Sequence, residues 1–294
     1  MPERSVYTRL FGGIGNQLFQ YSAGRALADR LGCDLVIDTR YLAGLENRND
    51  CFVHFQNARF LRDRPLPPAK SDGMLLYGLW RLLSHRPKLL LNRYPRLYRE
   101  NGLAFDPGQR FRPPGTYLHG YWQSDRYFLN ITDELHQDLT FTTPLDGANA
   151  DMAARITETP GAVSLHLRRG DYLKSGAYAA CTPEYYRAAL EYISVNTNGP
   201  LTCFVFSNDP AWARDNLDLG YKTVIVDIND EASGHFDLHL QSLCNHNVIA
   251  NSTFSWWGAW LNTNPDRIVA APRKWFGPDH PPNPDILPDA WARF

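Results

Sequence analysis

The chain has 294 residues, 44% of them hydrophobic and 13% aromatic, with a formal net charge of −1. That apolar content supports a sizeable core, the length suggests about two domains, and the balanced charge gives no basic field of the kind a generic nucleic-acid binder needs. The five cysteines, Cys33, Cys51, Cys181, Cys203 and Cys244, are widely spaced without a C-x-x-C pair, which excludes the common zinc and redox motifs and fits a reduced, cytoplasmic compartment.

The opening MPERSVYTRL does not read as a signal peptide. Val6–Phe11 reads as a strand, Gly12–Asn16 as a glycine-rich turn, Gln17–Leu31 as a helix and Leu35–Asp38 as a second strand. This order opens a doubly wound α/β domain. Residues 40–115 read as loops and short helices. Within them Met74–Leu91 is apolar but interrupted by Arg81, His85, Arg86, Pro87 and Lys88. It fails as a membrane span and reads either as a surface-packed helix or as an interfacial segment on the inner membrane face. Thr116–Gly120 reads as a strand and Ser124–Leu139 as a helix.

A second α/β series follows. Strands are expected at Ala162–Leu167, Leu201–Ser207, Lys222–Val226, Asn247–Ala250 and Arg267–Ala271. Helices are expected at Thr182–Val195, with Thr182 as N-cap and Pro183 first in the helix, and at Asp209–Leu217, Phe236–Asn245 and Ser252–Leu261. Strands alternating with helices imply parallel sheets. The boundaries that follow are 1–155 and 156–277, with a proline-rich tail, 278–294, packed on the surface.

The sharpest motifs fall at predicted strand ends, where open α/β sheets bind ligands. Gly13-Ile14-Gly15 begins a dinucleotide fingerprint, but Leu18 stands at its third glycine position and no P-loop Lys follows. A tight strand–helix turn accounts for the glycines; Asn16 and Gln17 add two amides suited to a ligand. HLRRGDY, 166–172, places Arg168 and Arg169 at the end of a strand. A guanidinium forks onto phosphate or carboxylate and is costly to bury unpaired, so two in tandem fit a diphosphate. Internal pairing with an acid such as Asp171 is the blander use for one of them. Ser207-Asn208-Asp209 fits a ribose or base contact, and equally a helix cap. Ser252, Thr253 and Ser255 surround a helix N-terminus, which suits an anion, while Trp256 and Trp257 read as core. His235 and His239 flank Asp237 at helical spacing, but there is no H-E-x-x-H, no third ligand and no D-x-D triplet, so no metal site is expected. The residues alone describe a two-lobed α/β protein that grips a nucleoside diphosphate. A nucleotide-sugar transferase and a non-catalytic nucleotide-sugar-binding protein both fit.

GGIGNQLFQYSAGRALA (12–28), HGYWQSDRYF (119–128), HLRRGDY (166–172), FSNDPAWA (206–213) and DLHLQSLCNHNVIANSTFSWWGAWL (237–261) resemble the bacterial α-1,2-fucosyltransferases of glycosyltransferase family 11. The resemblance implies a GT-B fold, in which two Rossmann-like lobes with parallel sheets face a central cleft. It implies GDP-β-L-fucose as donor substrate, no cofactor or metal, and inversion at the anomeric carbon. The 1–155 lobe would bind the acceptor, a β-galactoside such as lactose, a type 1 or type 2 chain or a lipid-linked repeat unit. The 156–277 lobe would bind GDP-fucose.

Residue by residue, the resemblance has Arg168 and Arg169 meet the diphosphate and His166 lie by the guanine or ribose through its backbone. Ser207, Asn208 and Asp209 would border the nucleoside, with Asn208 where many relatives carry an acid. Asp237 would read guanine, and Ser252, Thr253, Phe254 and Ser255 would lie beside the phosphates and base. Gly13, Gly15, Asn16 and Gln17 would face fucose and acceptor. The implied reaction moves fucose to the 2-hydroxyl of a terminal β-galactose, with Arg169, Arg168 and Asn16 at the reacting centre and Asp125 or Asp171 as candidate base. A protein O-fucosyltransferase-like enzyme, which shares the arginine motif, is the alternative activity.

Overall fold

The computed structural model describes residues 4–42, 49–69, 73–83, 95–169 and 181–294. The chain separates into two compact units, Met1–Thr140 with Pro284–Ile286 and Phe141–Asn283 with Leu287–Phe294.

The first unit contains β1 (Ser5–Arg9), α1 (Ile14–Leu31), β2 (Asp34–Asp38), α2 (Met74–Leu83), β3 (Arg96–Arg99), β4 (Thr116–His119) and α3 (Thr132–Asp138). Its strands pair in parallel in the order β2-β1-β4-β3. Ser5 to Thr8 are all buried, because both faces of a parallel sheet are covered and neither face of β1 meets water. α1 is buried along most of its length and ends at Gly32, whose φ of +58° is left-handed and whose N–H caps Ala28 and Asp29. α2 lays Tyr77 and Trp80 on Tyr7, Val36 and Tyr117 of the sheet.

Two expectations change here. β3 lies inside the stretch read as loops and short helices; Arg96-Leu97-Tyr98-Arg99 is an edge strand, half-exposed, without the apolar run that marks a central one. The helix read over Ser124–Leu139 is broken into two 3-10 turns, Asp125–Tyr127 and Leu129–Ile131, before α3. The chain leaves helical dihedrals at Phe128 (φ −136°) and Ile131 (φ −132°), and both side chains are fully buried, so core packing overrides the helical pattern.

The second unit contains α4 (Gly147–Thr157), β5 (Ala162–Leu167), α5 (Pro183–Val195), β6 (Thr202–Ser207), α6 (Pro210–Asn216), β7 (Lys222–Val226), α7 (Gly234–Ser242), β8 (His246–Val248), α8 (Thr253–Trp260), β9 (Val269–Ala271) and β10 (Ala292–Arg293). The sheet is parallel, in the order β10-β9-β8-β5-β6-β7. β5 is buried at all six positions, and each large apolar side chain it buries contributes about 1.5–3 kcal/mol. Thr182 caps α5 as the sequence predicts, its hydroxyl accepting from the Tyr185 amide at 3.4 Å. The C-terminal tail does more than pack on the surface. Ala292–Arg293 extends the sheet as β10, and Trp291 is buried with its ring 5.3 Å from that of Trp256.

Each sheet has a topological switch point. In the first sheet the chain reverses its direction of growth between β1 and β4, in the second between β5 and β8. Such switch points open a crevice at the carboxyl ends of the strands. The Gly12–Gln17 turn and the His119–Gln123 stretch follow β1 and β4; HLRR and the Asn251–Ser255 turn end or follow β5 and β8.

Candidate functional site

In the second unit, β5 delivers His166 just before Arg168 and Arg169, both half-buried. β6, its neighbour, delivers Ser207, Asn208 and Asp209. Asn208 Oδ1 accepts from the Arg169 amide at 2.9 Å and joins the two strand ends. Ser207 Oγ accepts from the Asp209 amide, and Asp209 Oδ1 accepts from the Trp212 amide at 3.2 Å, capping α6. The Arg169 guanidinium carbon lies 3.5 Å from the Trp212 ring centroid, and its Nε lies 3.7 Å from Asp209 Oδ2. That distance suits an ion pair but is too long for a hydrogen bond, and Arg169 Nε has no hydrogen-bond partner among the described residues.

His166 is buried, and its ring centroid is 5.6 Å from that of Phe254. Burial, reinforced by the Arg168 charge, pushes its imidazole down to about 3, so the ring is neutral. Its Nδ1 has no hydrogen-bond partner among the described residues, while its carbonyl accepts from Tyr186 Oη at 3.0 Å. On the β8 side, Ser252 is the N-cap of α8 and its side chain makes no cap bond. Thr253 and Phe254 are half-buried. Ser255 is buried, its hydroxyl directed at the Ala250 and Ser252 carbonyls at 3.4 and 3.3 Å, so its donor is engaged within the turn.

Asp237 stands in the first turn of α7, in a separate polar cluster. It accepts from Asn229 Nδ2 at 2.7 Å, and Asn229 exchanges hydrogen bonds with Asn149. Burial raises its carboxyl to about 6 against the opposing pull of the Asn229 bond. Asp171 lies outside the described residues.

In the first unit, Gly13 is the N-cap of α1, and its carbonyl accepts from the amides of Asn16 and Gln17. Gly12 has φ +81°, and a Cβ there would meet Asn16 Nδ2 at 2.6 Å. Gly15 is buried. Asn16 Oδ1 accepts from Gln123 Nε2 at 2.9 Å, tying the glycine turn to the segment after β4. Gln17 is buried; its amide donates to the Gly12 and Asn49 carbonyls and accepts from the Cys51 amide, which makes it a brace of the turn. Asp125 is buried at the start of a 3-10 turn.

Several residues to which the motifs assign no role stand at the same edge. Arg9 Nη1 donates to His119 Nε2 at 3.3 Å. Arginine has no acceptor, so the ring presents Nε2 as the acceptor and is neutral; burial first, then Arg9, Arg99 and Arg81, lowers it to about 4. Glu100 accepts from the Tyr121 and Trp122 amides at 2.6 and 2.9 Å. Burial lifts this carboxyl to about 7, over the opposing effect of those two bonds. Trp122 itself has φ +56°, a left-handed conformation that costs a bulky residue energy and needs support from its surroundings. Gly120 is required here because a Cβ would meet Glu100 Cβ at 2.4 Å. No group of three or more metal-ligating side chains occurs among the described residues.

Two parallel Rossmann-like sheets, each with a topological switch point, form a GT-B fold. The fold likeness is to the fucosyltransferase NodZ from Bradyrhizobium, with a TM-score of 0.54 and 15% identity over 88% of this chain and 92% of that one. The family described as Glycosyl transferase family 11 matches residues 111–282. An α-1,2-colitosyltransferase of Escherichia coli is 30% identical over 303 residues, 98% of each chain. Galactoside α-(1,2)-fucosyltransferase 2 of Gorilla gorilla gorilla is 29% identical over 170 residues, 54% of this chain and 49% of that one. The chain belongs to glycosyltransferase family 11.

Proposed function

We propose that this glycosyltransferase moves L-fucose from GDP-β-L-fucose to the 2-hydroxyl of a terminal β-galactose, with inversion to an α-1,2 linkage. The observation that carries the reading is the tandem Arg168–Arg169 at the β5/β8 switch point, joined to the β6 end by Asn208. The α-1,2 linkage in the names of both curated relatives supports the regiochemistry.

In this mechanism the galactose O2 attacks fucose C1 while the C1–oxygen bond to the β-phosphate breaks. The electron pair leaves with GDP, and the O2 proton passes to a base. The transition state resembles an oxocarbenium ion, so stabilising the departing diphosphate is the main demand on the protein. Arg168 and Arg169 of the second unit meet that demand. Neutral His166 brings no charge and orients the ligand by shape. The first unit binds the acceptor at the Asn16–Gln123 edge. Asp125 and Asp171 are the candidate bases, and Glu100, whose carboxyl burial lifts to about 7, is a third.

A second reading follows from the colitosyltransferase relative: a donor sugar lacking the 3-hydroxyl of fucose. Parallel reactions with GDP-β-L-fucose and GDP-colitose on a β-galactoside panel, with product linkages read by NMR, test both. Transfer from GDP-fucose to O2 supports the first reading, and exclusive use of GDP-colitose replaces it with the second. Absence of transfer from either overturns both.

A further inference from the structure

The last residues of the four strands of the first sheet form a row at its carboxyl edge, in the spatial order Asp38, Arg9, His119 and Arg99. The register pairs Asp38 with Arg9 and His119 with Arg99. The hydrogen bond from Arg9 Nη1 to His119 Nε2, 3.3 Å long, joins the two pairs. Two residues back on each strand, Val36, Tyr7, Tyr117 and Leu97 pack together with Tyr77 and Trp80 of α2. Side chains alternate along a strand, so the row lies on that same face.

Two cations of this row lack an acid. Asp38 is fully buried and already taken: Arg40 Nε and Nη2 donate to it at 3.0 and 2.8 Å, and the Tyr117 hydroxyl at 2.8 Å. His119 is neutral and brings no negative charge. Glu100 is engaged by the Tyr121 and Trp122 amides. Among the described residues neither Arg9 nor Arg99 forms an ion pair, and Arg9 Nε is buried without a hydrogen-bond partner. The Tyr41 ring centroid lies 3.1 Å from the Arg9 guanidinium carbon, which favours the cation but does not neutralise it. Arg81, over the Tyr77 ring on the sheet side of α2, adds a third positive charge near His119.

A half-buried guanidinium without an anion is costly, and its planar fork matches carboxylate or phosphate oxygens. The row lies at the carboxyl ends of the strands, on both sides of the β1/β4 switch point, where open α/β sheets bind ligands. Aromatic rings stand beside it. The Phe11 ring is 4.9 Å from that of Tyr121 and 5.8 Å from that of His119, with the Arg9 guanidinium carbon 5.7 Å from its centroid. Tyr121 is 39% exposed. Apolar ring faces next to unmatched cations suit a sugar that carries its own negative charge.

We propose that Arg9 and Arg99 form a subsite for an anionic group, a carboxylate or a phosphate, borne on the acceptor glycan. The subsite rests on the galactoside-transfer reading and names the acceptor class: an acidic oligosaccharide rather than a neutral one.

The test uses three probes that share a terminal β-galactose and differ in charge: lactose, lactobionate and lactose 1-phosphate. Calorimetry gives their affinities without turnover, and fucosyl transfer to each is measured in parallel. At low salt an anionic probe is expected to bind on the order of tenfold more tightly than lactose, an advantage that falls to roughly threefold at high salt. The tighter of the two anionic probes assigns the group to a carboxylate or to a phosphate. Arg9→Gln and Arg99→Gln each bring the ratio of anionic to neutral affinity toward one, and Arg9→Lys keeps part of it. The ratio is taken within each variant, so a general loss of folded protein does not move it. Equal affinity of the wild type for all three probes overturns the subsite and leaves the transfer reading standing, as does a ratio unchanged in both Gln variants. An arginine-dependent preference without fucosyl transfer to any probe supports the subsite and overturns the transfer reading alone.

Discussion

Arg169 sits over the Trp212 indole, its guanidinium carbon 3.5 Å from the ring centroid, and one carboxylate organises both partners. Asp209 Oδ1 accepts from the Trp212 amide while Oδ2 faces Arg169 Nε at 3.7 Å. The arginine is therefore held before any phosphate arrives. A cation over an aromatic face gains about 0.5–2 kcal/mol. Trp212→Leu is expected to raise the donor KM by roughly three- to tenfold, with Trp212→Phe restoring most of the loss. Steady-state kinetics in GDP-fucose check this; an unchanged KM in Trp212→Leu would detach the stack from donor binding.

Asn208 links β5 to β6 through a single bond from the Arg169 amide. A neutral hydrogen bond of this kind contributes about 1 kcal/mol. Asn208→Ala should weaken GDP binding by roughly fivefold in calorimetry, and Asn208→Asp, which keeps the acceptor, should lose less. Equal losses in both variants would show that the amide nitrogen, not its oxygen, matters.

Glu100 carries a carboxyl raised by burial from the ordinary 4.5 to about 7. Because the folded value lies above the unfolded one, the folded state holds the extra proton between them. Its contribution to stability is complete below about pH 4.5 and is lost as pH rises through about 7. Glu100→Gln should remove that part of the pH dependence of melting. If Glu100 is the base among the three candidates, it should also set an acidic limb near pH 7 in kcat/KM, absent in a much slower Glu100→Gln enzyme. A Gln variant with wild-type rate and profile would leave Glu100 only the holding of Trp122.

Asp237 is raised by burial to about 6 and accepts one hydrogen bond, from Asn229. If it reads the guanine N–H groups, it must be ionised to do so. GDP affinity is then expected to rise with pH through about 6, and Asp237→Asn should bind roughly tenfold more weakly with a flat profile. Inosine diphosphate, which lacks the 2-amino donor, should discriminate less between the two proteins. Calorimetry with both nucleotides across this range is decisive; a flat wild-type profile removes Asp237 from the base contact.

What the sequence made legible follows from burial and local chemistry. β5 stands out because both faces are covered, so Ala162–Leu167 is mostly apolar, with Ser164 and His166 the exceptions. α5 stands out because Thr182-Pro183-Glu184 is a local N-terminal signal. HLRR and the Asn251–Ser255 turn could be placed at strand ends once the strands were found. Glu100 was invisible, because its meaning lies in the backbone of Tyr121 and Trp122, which no sequence pattern couples to it. Trp212 stands within a quoted motif that assigns it no role; the Arg169 contact gives it one. Gln17 and Ser255 show the reverse: polar residues within motifs whose hydrogen-bonding groups are turned inward to hold their own turns.

The central claim is that arginine at the end of β5 stabilises the departing diphosphate. The most direct measurement is kcat for transfer from saturating GDP-β-L-fucose to a β-galactoside by Arg169→Ala beside the wild type. A loss on the order of 10²–10³, with the α-1,2 linkage of the residual product unchanged, is the predicted result. Turnover by Arg169→Ala close to that of the wild type would contradict it.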